Sequence, residues 1–379
     1  MEEQSKKAKI AKRTALILGI IVAVVAVVGV AGYSAVHHYL NKIQKVEDDQ
    51  VETVPPGEEF FETDEPITVE PVTEPVDSTA PVGADTDAPV TDNGSGTTDV
   101  PVTTTAPVTT TVPVTTAPVT EPVVVLPDID DKDLINILLI GQDRREGEGR
   151  RRSDSMILCS INTKTKEISL VSFLRDTYVM IPGGYSDNRL NAAYAFGGMP
   201  LLTNTIYANF GVTVDGCFEV DFSQFEKIID TVGGVEINVT AAEAEVLKAY
   251  GIVEGKNLMN GAKALEYSRL RSIDSDFQRT NRQRNVVLAV FDKCKNLSLN
   301  ELLDLVNVVL PSMTTNMTNN KIISIITSCF PMLSSAKMST HFIPDYDCFY
   351  AATIQGMQVL VPDLYKIRLR LINEYLPLN

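Results

Sequence analysis

Residues 135–145 read INILLIGQDRR. Ile135, Ile137, Leu138, Leu139 and Ile140 form a short apolar run that stops at Gly141, and Asp143, Arg144 and Arg145 come immediately after it. A run this short and this continuous predicts a strand buried on both faces. Met156, Ile157, Leu158, Cys159 and Ile161 make a second such run, and Ile168, Leu170, Val171 and Phe173 a third. Charge flanks each of them. Arg150, Arg151, Arg152 and Asp154 precede the second, and Arg175 and Asp176 leave the third. Open α/β sheets gather ligands just beyond strand ends, so these residues are the first candidates for a site.

Downstream, residues 221–239 read DFSQFEKIIDTVGGVEINV. Asp221 can cap a helix, with Gln224 at the spacing of a capping box. Phe222, Phe225, Ile228, Ile229 and Val232 recur at helical spacing, Gly233 and Gly234 end the helix, and Val235, Ile237 and Val239 alternate as a strand. This strand–helix–strand unit is of the kind that favours parallel sheets. Further helices are expected over Gly261–Arg269, Asn281–Lys295, Lys321–Phe330 and Ile367–Tyr375, and one after Ser298, which has capping-box spacing to Glu301. The fold class is therefore α/β, a mixed central sheet with helices on both faces.

The densest charge lies between two of those helices. Residues 269–283 read RLRSIDSDFQRTNRQ, with Arg269, Arg271, Arg279 and Arg282 beside Asp274, Asp276 and Gln283, and no lysine. Guanidiniums this close repel one another unless an anion sits among them, and their planar fork suits phosphate oxygens. Arg279 falls near a helix N-terminus, where free backbone N–H groups add to anion binding. Asp143 and Asp154 are the candidate metal pair, since magnesium binds through one or two carboxylates together with substrate phosphates. Their spacing serves equally well as salt-bridge partners for Arg145 and Arg152. Arg189, taken alone, reads as a surface residue, and Asn191 and Tyr194 either orient a sugar or hold a loop.

The 379-residue chain is more than this domain. Residues 14–36 carry no charge and are long enough to cross a bilayer. Lys6, Lys7, Lys9, Lys12 and Arg13 precede them, which keeps residues 1–13 cytoplasmic and places the chain beyond residue 36 outside. Residues 37–133 read as an acidic, Pro/Thr-rich extracellular linker: 46–131 hold 20 Asp or Glu and no Lys or Arg, and Pro-Val-Thr recurs from Pro71 to Pro118. Such a segment buries too little apolar surface to fold and serves as a spacer on the order of 50 Å long. The formal charge of −16 belongs to it, which leaves the domain from residue 134 to 379 close to neutral. The odd count of five cysteines argues against a full disulfide framework, and Cys329 with Cys348 is one candidate bridge. His341 is the domain's one histidine, and neither a GxSxG elbow nor a Walker lysine motif is present. That removes a serine triad and a histidine zinc centre. It leaves phosphoryl chemistry, which runs largely on positioning and charge neutralisation.

The order and wording of these segments resemble the LytR-CpsA-Psr family of bacterial cell-wall enzymes. The segments are GQDRR at Gly141, RRSDSMIL at Arg151, SFLRDTYVMIPG at Ser172, NRLNAAYAFGG at Asn188, VDFSQFEKIIDTVGGVEINV at Val220 and ALEYSRLRSIDSDFQRTNRQR at Ala264. The resemblance implies a magnesium-dependent transferase in the cell membrane. It would move a glycopolymer such as wall teichoic acid or capsule polysaccharide from a polyprenyl diphosphate carrier to a peptidoglycan hydroxyl, leaving a phosphodiester and free carrier phosphate, with polyprenyl diphosphate pyrophosphatase activity on the side. By the same resemblance Asp143 and Asp154 hold magnesium, and Arg145, Arg152, Arg175, Arg269, Arg271, Arg279 and Gln283 hold the diphosphate. Arg189 stands where the family often has lysine, and the two are not equivalent in geometry. Asp276 would steer or deprotonate the incoming hydroxyl, next to Arg175 as the other catalytic residue. A largely apolar tunnel for the isoprenoid is implied beneath the arginines. The alternatives are a non-catalytic binder of polyprenyl phosphate or anionic wall polymer, and a transcriptional regulator. The second lacks a cytoplasmic part large enough to hold nucleic acid.

Overall fold

The structure, a computed structural model, describes residues 41, 43–47, 51–57, 125–142, 152–295 and 313–378. In chain order the main elements are β1 (Gln44–Lys45), β2 (Ile135–Gln142), β3 (Ser153–Asn162), β4 (Glu167–Phe173), β5 (Tyr178–Val179), β6 (Asn188–Arg189), α1 (Leu190–Phe210), β7 (Gly216–Val220), α2 (Phe222–Thr231), β8 (Val235–Val239), α3 (Ala241–Leu247) and β9 (Gly255–Met259). Then come α4 (Gly261–Arg269), α5 (Asp276–Cys294), β10 (Thr314–Thr315), α6 (Asn319–Cys329), β11 (Lys337–Ile343), β12 (Phe349–Ile354), β13 (Met357–Pro362) and α7 (Leu364–Arg370). Seven strands form one mixed sheet in the order β1-β10-β7-β2-β3-β4-β11. The three apolar runs are its centre: β2 and β3 pair antiparallel, as do β3 and β4, and β7 joins β2 in parallel. Leu138, Leu158 and Val171 are wholly buried.

Helices cover both faces, as the uninterrupted apolar runs require. On one face Leu138, Ile140, Met156, Leu158, Val171 and Phe173 pack with residues of α1 and α7. On the other, Ile137, Met317 and Ile322 of α6 form one cluster, and Ile161, Ile168 and Met332 another. Leu190–Phe210, absent from the sequence expectations, is a helix kinked at Gly197 and Gly198, with Pro200 just beyond; Gly198 has φ 62° and ψ −153°. The Gly-Gly-x-Pro interruption hides its periodicity. It also buries Asn191 and Tyr194, which hold structure and present no face to a sugar. Tyr194 donates its hydroxyl to buried Glu219, which also accepts from Gln142 Nε2 at 3.2 Å.

Two expectations are corrected. The capping box of Asp221 and Gln224 forms as read and starts α2, but the strand after it does not return to the central sheet. Gly233 and Gly234 turn the chain with φ 78° and 80°, and β8 pairs antiparallel with β9 in a sheet of two. The reason is in its alternation: Val235, Ile237 and Val239 are buried while Glu236 and Asn238 are exposed. A strand with one wet face suits an antiparallel pair, whereas a parallel strand inside an α/β sheet is covered on both sides. The Cys329–Cys348 bridge does not form, and both cysteines are free. Cys159 packs in a cluster with Cys329, and burial pushes its thiol up to about 12.

The 37–133 linker also meets the folded unit at both of its ends, where β1 joins the sheet and Ile129 packs on the main core. No helix among the described residues is long and apolar enough to cross a membrane. Residues 1–13 and 14–36, most of the linker, Asp143, Arg145 and the helix expected after Ser298 lie outside the described residues.

Candidate active site

Strand order collects the site. Because β3 runs antiparallel to β2, its start lies beside the end of β2, with Gly141 opposite Ser155. Strand β4 is antiparallel to β3, so its end falls on the same side of the sheet and delivers Arg175 there. A cavity of about 530 Å³ opens between this edge and helices α2, α4 and α5. Asp154, Arg175, Arg269, Arg271, Arg279 and Gln283 line its polar part. The rest is mostly apolar, with Ile140, Phe218, Phe225, Ile229, Val286 and Val290 among the wall residues. Helix α5 supplies one side from end to end. Arg279, Gln283, Val286, Val287 and Val290 follow one helical face, and the eleven helical steps from Arg279 to Val290 carry the wall from charge to hydrocarbon over about 16 Å.

Arg175 is the hub. Its Nη1 donates to Asp154 Oδ1 at 2.8 Å, its Nε donates to Asp176 Oδ2 at 3.3 Å, and Asp276 Oδ2 lies 3.9 Å from Nε. Burial works to lower its pKa, but Asp176, Asp276 and Asp154 hold it above the ordinary arginine value. Arg271 Nη2 lies 4.0 Å from Asp154 Oδ1. Burial and the Arg175 charge push the Arg271 pKa down, so this pair of cations is kept together at an electrostatic cost that an anionic ligand would remove. Arg279, 2% exposed, closes on Asp276 with Nη2 at 2.7 Å from Oδ1 and 2.9 Å from Oδ2. The Arg269 guanidinium stacks 4.5 Å over the Phe222 ring, which fixes its plane.

Asp276 starts α5, and its side chain is 23% exposed. Burial pushes its pKa up to about 6, and Asp176 and Asp154 add to the rise against Arg175 and Arg271. It does not itself line the cavity; it touches Arg175 and Arg279, which do. Asp176, named in the sequence only as the residue after Arg175, proves central. It is buried, its carboxyl is pushed up by burial against the pull of Arg175, and it bridges Arg175 to Arg189. Adjacency to Arg175 was the available signal, but a strand-end Arg-Asp pair is too common to decide anything. Gln283 Oε1 is buried with no hydrogen-bond partner. Turning that amide over presents its NH₂ as a phosphate donor.

Three sequence assignments change. Arg189 is 2% exposed and not a surface residue. Its Nη1 contacts Asp176 Oδ1 at 3.4 Å, and it does not line the cavity, so in this structure it holds Asp176. Arg152, half-buried ahead of β3, also stays off the cavity wall. Arg282, counted in the arginine cluster, satisfies its charge within the protein, with Asp274 at 2.6 Å, Glu243 at 3.2 Å and the Leu270 carbonyl at 2.6 Å. Removing one partner of such a buried network strands the others, so Arg282→Ala is expected to cost about 3–5 kcal/mol. Urea unfolding midpoints of the two proteins measure it.

Among the described residues no three His, Cys, Asp or Glu converge as a metal cage. A magnesium ion bound with substrate phosphates does not need one. Asp154 fits that lighter demand: it lines the cavity beside the guanidiniums, and its contacts to Arg175 and Arg271 both run through Oδ1.

The model of the LytR_cpsA_psr family matches residues 102–368. The chain belongs to this family. It is similar to the polyisoprenyl-teichoic acid–peptidoglycan teichoic acid transferase TagU of Bacillus licheniformis, 37% identical over 194 residues that cover 50% of this chain and 62% of that one. To TagT of Bacillus subtilis it is 32% identical over 217 residues, 54% of this chain and 66% of the relative. The chain thus spans 62% of the length of the TagU relatives from Bacillus licheniformis and Bacillus subtilis. Among solved structures, TagT bound to LIIa-WTA superimposes with a TM-score of 0.53 at 27% identity, covering 66% of this chain and 94% of that one. A LytR-CPS2A-psr family protein with bound octaprenyl pyrophosphate lipid gives a TM-score of 0.50 at 25% identity, covering 66% and 93%. The mixed α/β sheet is the fold these LytR_cpsA_psr proteins share, and every arginine on the cavity wall lies inside the matched range.

Proposed function

We propose that the protein transfers a glycopolymer from a polyprenyl diphosphate carrier to a peptidoglycan hydroxyl. One observation carries the reading: four guanidiniums and a glutamine share a cavity whose remaining wall is mostly apolar. A diphosphate on an isoprenoid is a ligand with that same division. The relatives named as teichoic acid transferases and the neighbour holding octaprenyl pyrophosphate support the choice.

In the reaction the acceptor oxygen attacks the sugar-bearing phosphorus, a new P–O bond forms, and the bond to the carrier's own phosphate breaks. Polyprenyl phosphate leaves with the electron pair. Arg175, Arg271 and Arg279 face the oxygens on which charge accumulates, where fixed cations stabilise the transition state. Asp276 takes the proton from the acceptor hydroxyl. Its partial exposure and its place outside the cavity suit a hydroxyl arriving from solvent while the lipid occupies the apolar side. Asp154, with Asp143, would hold magnesium, which when bound neutralises phosphate charge. We assign the anchor to residues 14–36 and the active domain to the outer side of the membrane.

Purified protein given a short-chain polyprenyl diphosphate glycan, magnesium and peptidoglycan should release polyprenyl phosphate and yield a glycan–phosphodiester–peptidoglycan product by mass spectrometry. Binding of the lipid with no phosphate release and no product would instead make it a carrier-binding protein, and loss of turnover with EDTA tests the metal. Val287→Trp narrows the apolar wall. It is expected to raise KM for a long-chain carrier by about tenfold, a loss of some 1.4 kcal/mol of apolar contact, with little effect on a carrier too short to reach it.

A further inference from the structure

Residues 37–133 read as one spacer, yet the fold fastens them at several points. Ile43 is buried in a cluster with Ile137, Met317 and Ile322. Gln44 N–H donates to the Met313 carbonyl at 3.3 Å, Val46 N–H donates to the Thr315 carbonyl at 3.0 Å, and Gln44 and Lys45 pair in parallel with Thr314 and Thr315. Asn319, at the start of α6, bonds the side chains of both Asn41 and Lys45. Val54 N–H donates to the Phe196 carbonyl at 2.7 Å, and the Val54 carbonyl accepts the Tyr185 hydroxyl at 2.8 Å. The chain rejoins the same unit further on. The Pro127 carbonyl accepts from Arg368 Nη1 at 3.1 Å, and Asp131 accepts from Asn136 Nδ2 at 3.0 Å and from Thr213 N–H at 2.9 Å.

A segment whose two ends are fastened to one folded unit cannot set that unit's distance from anything upstream of both. The distance from residue 36 is set by the chain up to Ile43, and seven residues reach at most ~25 Å when fully extended. We infer that the fastening at the edge strand β1 keeps the domain within ~25 Å of the bilayer surface, and that the acidic Pro/Thr-rich stretch, lying between two fastened points, does not set that distance. The inference rests on residues 14–36 being the membrane anchor and is independent of the transfer reaction. Its consequence is for the lipid. Met313, bonded to Gln44, also lines the apolar part of the cavity. The tethered edge therefore adjoins the cavity wall, and an isoprenoid rooted in the bilayer meets the domain on that side.

The test uses the full chain in liposomes, with a donor dye on an azido amino acid at exposed Asn320 and acceptor dye on the lipid headgroups. Deleting residues 63–118 should leave energy transfer unchanged. Inserting a twenty-residue Gly-Ser segment after His38 adds a coil of about 25 Å and should cut the transfer markedly. Either a rise in transfer on deletion, as a shortened stalk would give, or no fall on insertion overturns the proposal. If the deletion variant melts at a lower temperature than the parent, the insertion arm alone decides. Because no turnover is read, failure here and failure of the transferase reading are separate results.

Discussion

Arg175→Ala is expected to lower transfer about 10²- to 10³-fold, the scale of losing one fixed donor to developing negative charge. Arg175 reaches Asp154 at 2.8 Å, Asp176 at 3.3 Å and Asp276 at 3.9 Å while lining the cavity. The alanine variant removes a phosphate ligand and also leaves three carboxylates facing one another. Arg175→Lys separates the two roles. It returns a point charge, which steadies the carboxylates, without the planar fork that grips two oxygens at once. Thermal melting near that of the parent together with poor turnover is the expected lysine result. Release of polyprenyl phosphate at saturating carrier is the measurement, and parental turnover in the alanine variant would place the chemistry elsewhere.

Asp276→Asn is expected to cost about 10²- to 10⁴-fold, the usual range for a general base. Its pH signature is sharper than its magnitude. Burial holds the carboxyl up to about 6, so it is protonated below that pH and charged above it. A base must be charged, so the parent's kcat/KM should rise with pH through about 6 and then level, losing activity as pH falls through the same point. The asparagine variant should lose that limb and keep its affinity for the carrier, since Arg279 still lines the cavity. A variant that retains the acid limb would show that another group carries the proton.

Much of this was legible in the chain. The short apolar runs at 135–140, 156–161 and 168–173 read as strands covered on both faces, and they form the centre of the sheet. The capping box at Asp221 depends on four neighbouring residues and formed as read. Local rules worked wherever the partners are local. They failed where a partner is distant. Arg189 carries no sign of burial in its own sequence, because its partner Asp176 lies thirteen residues away. Arg282 and Arg279 stand three residues apart in one arginine-rich segment. The helix turns one toward Asp274 and Glu243 and the other toward the cavity.

The sequence by itself determined the strands, the helix caps, the crowding of arginine near residue 275 and the family to which these motifs belong. Each is encoded in periodicity or in residue type over a short span. Only the tertiary structure decided which guanidiniums share one cavity, that Asp176 ties Arg175 to Arg189, that β8 leaves the central sheet, and that chain from the apparent spacer is sewn into the sheet edge. Those outcomes depend on strand order and on contacts between residues tens to hundreds of positions apart, and no local pattern carries that information.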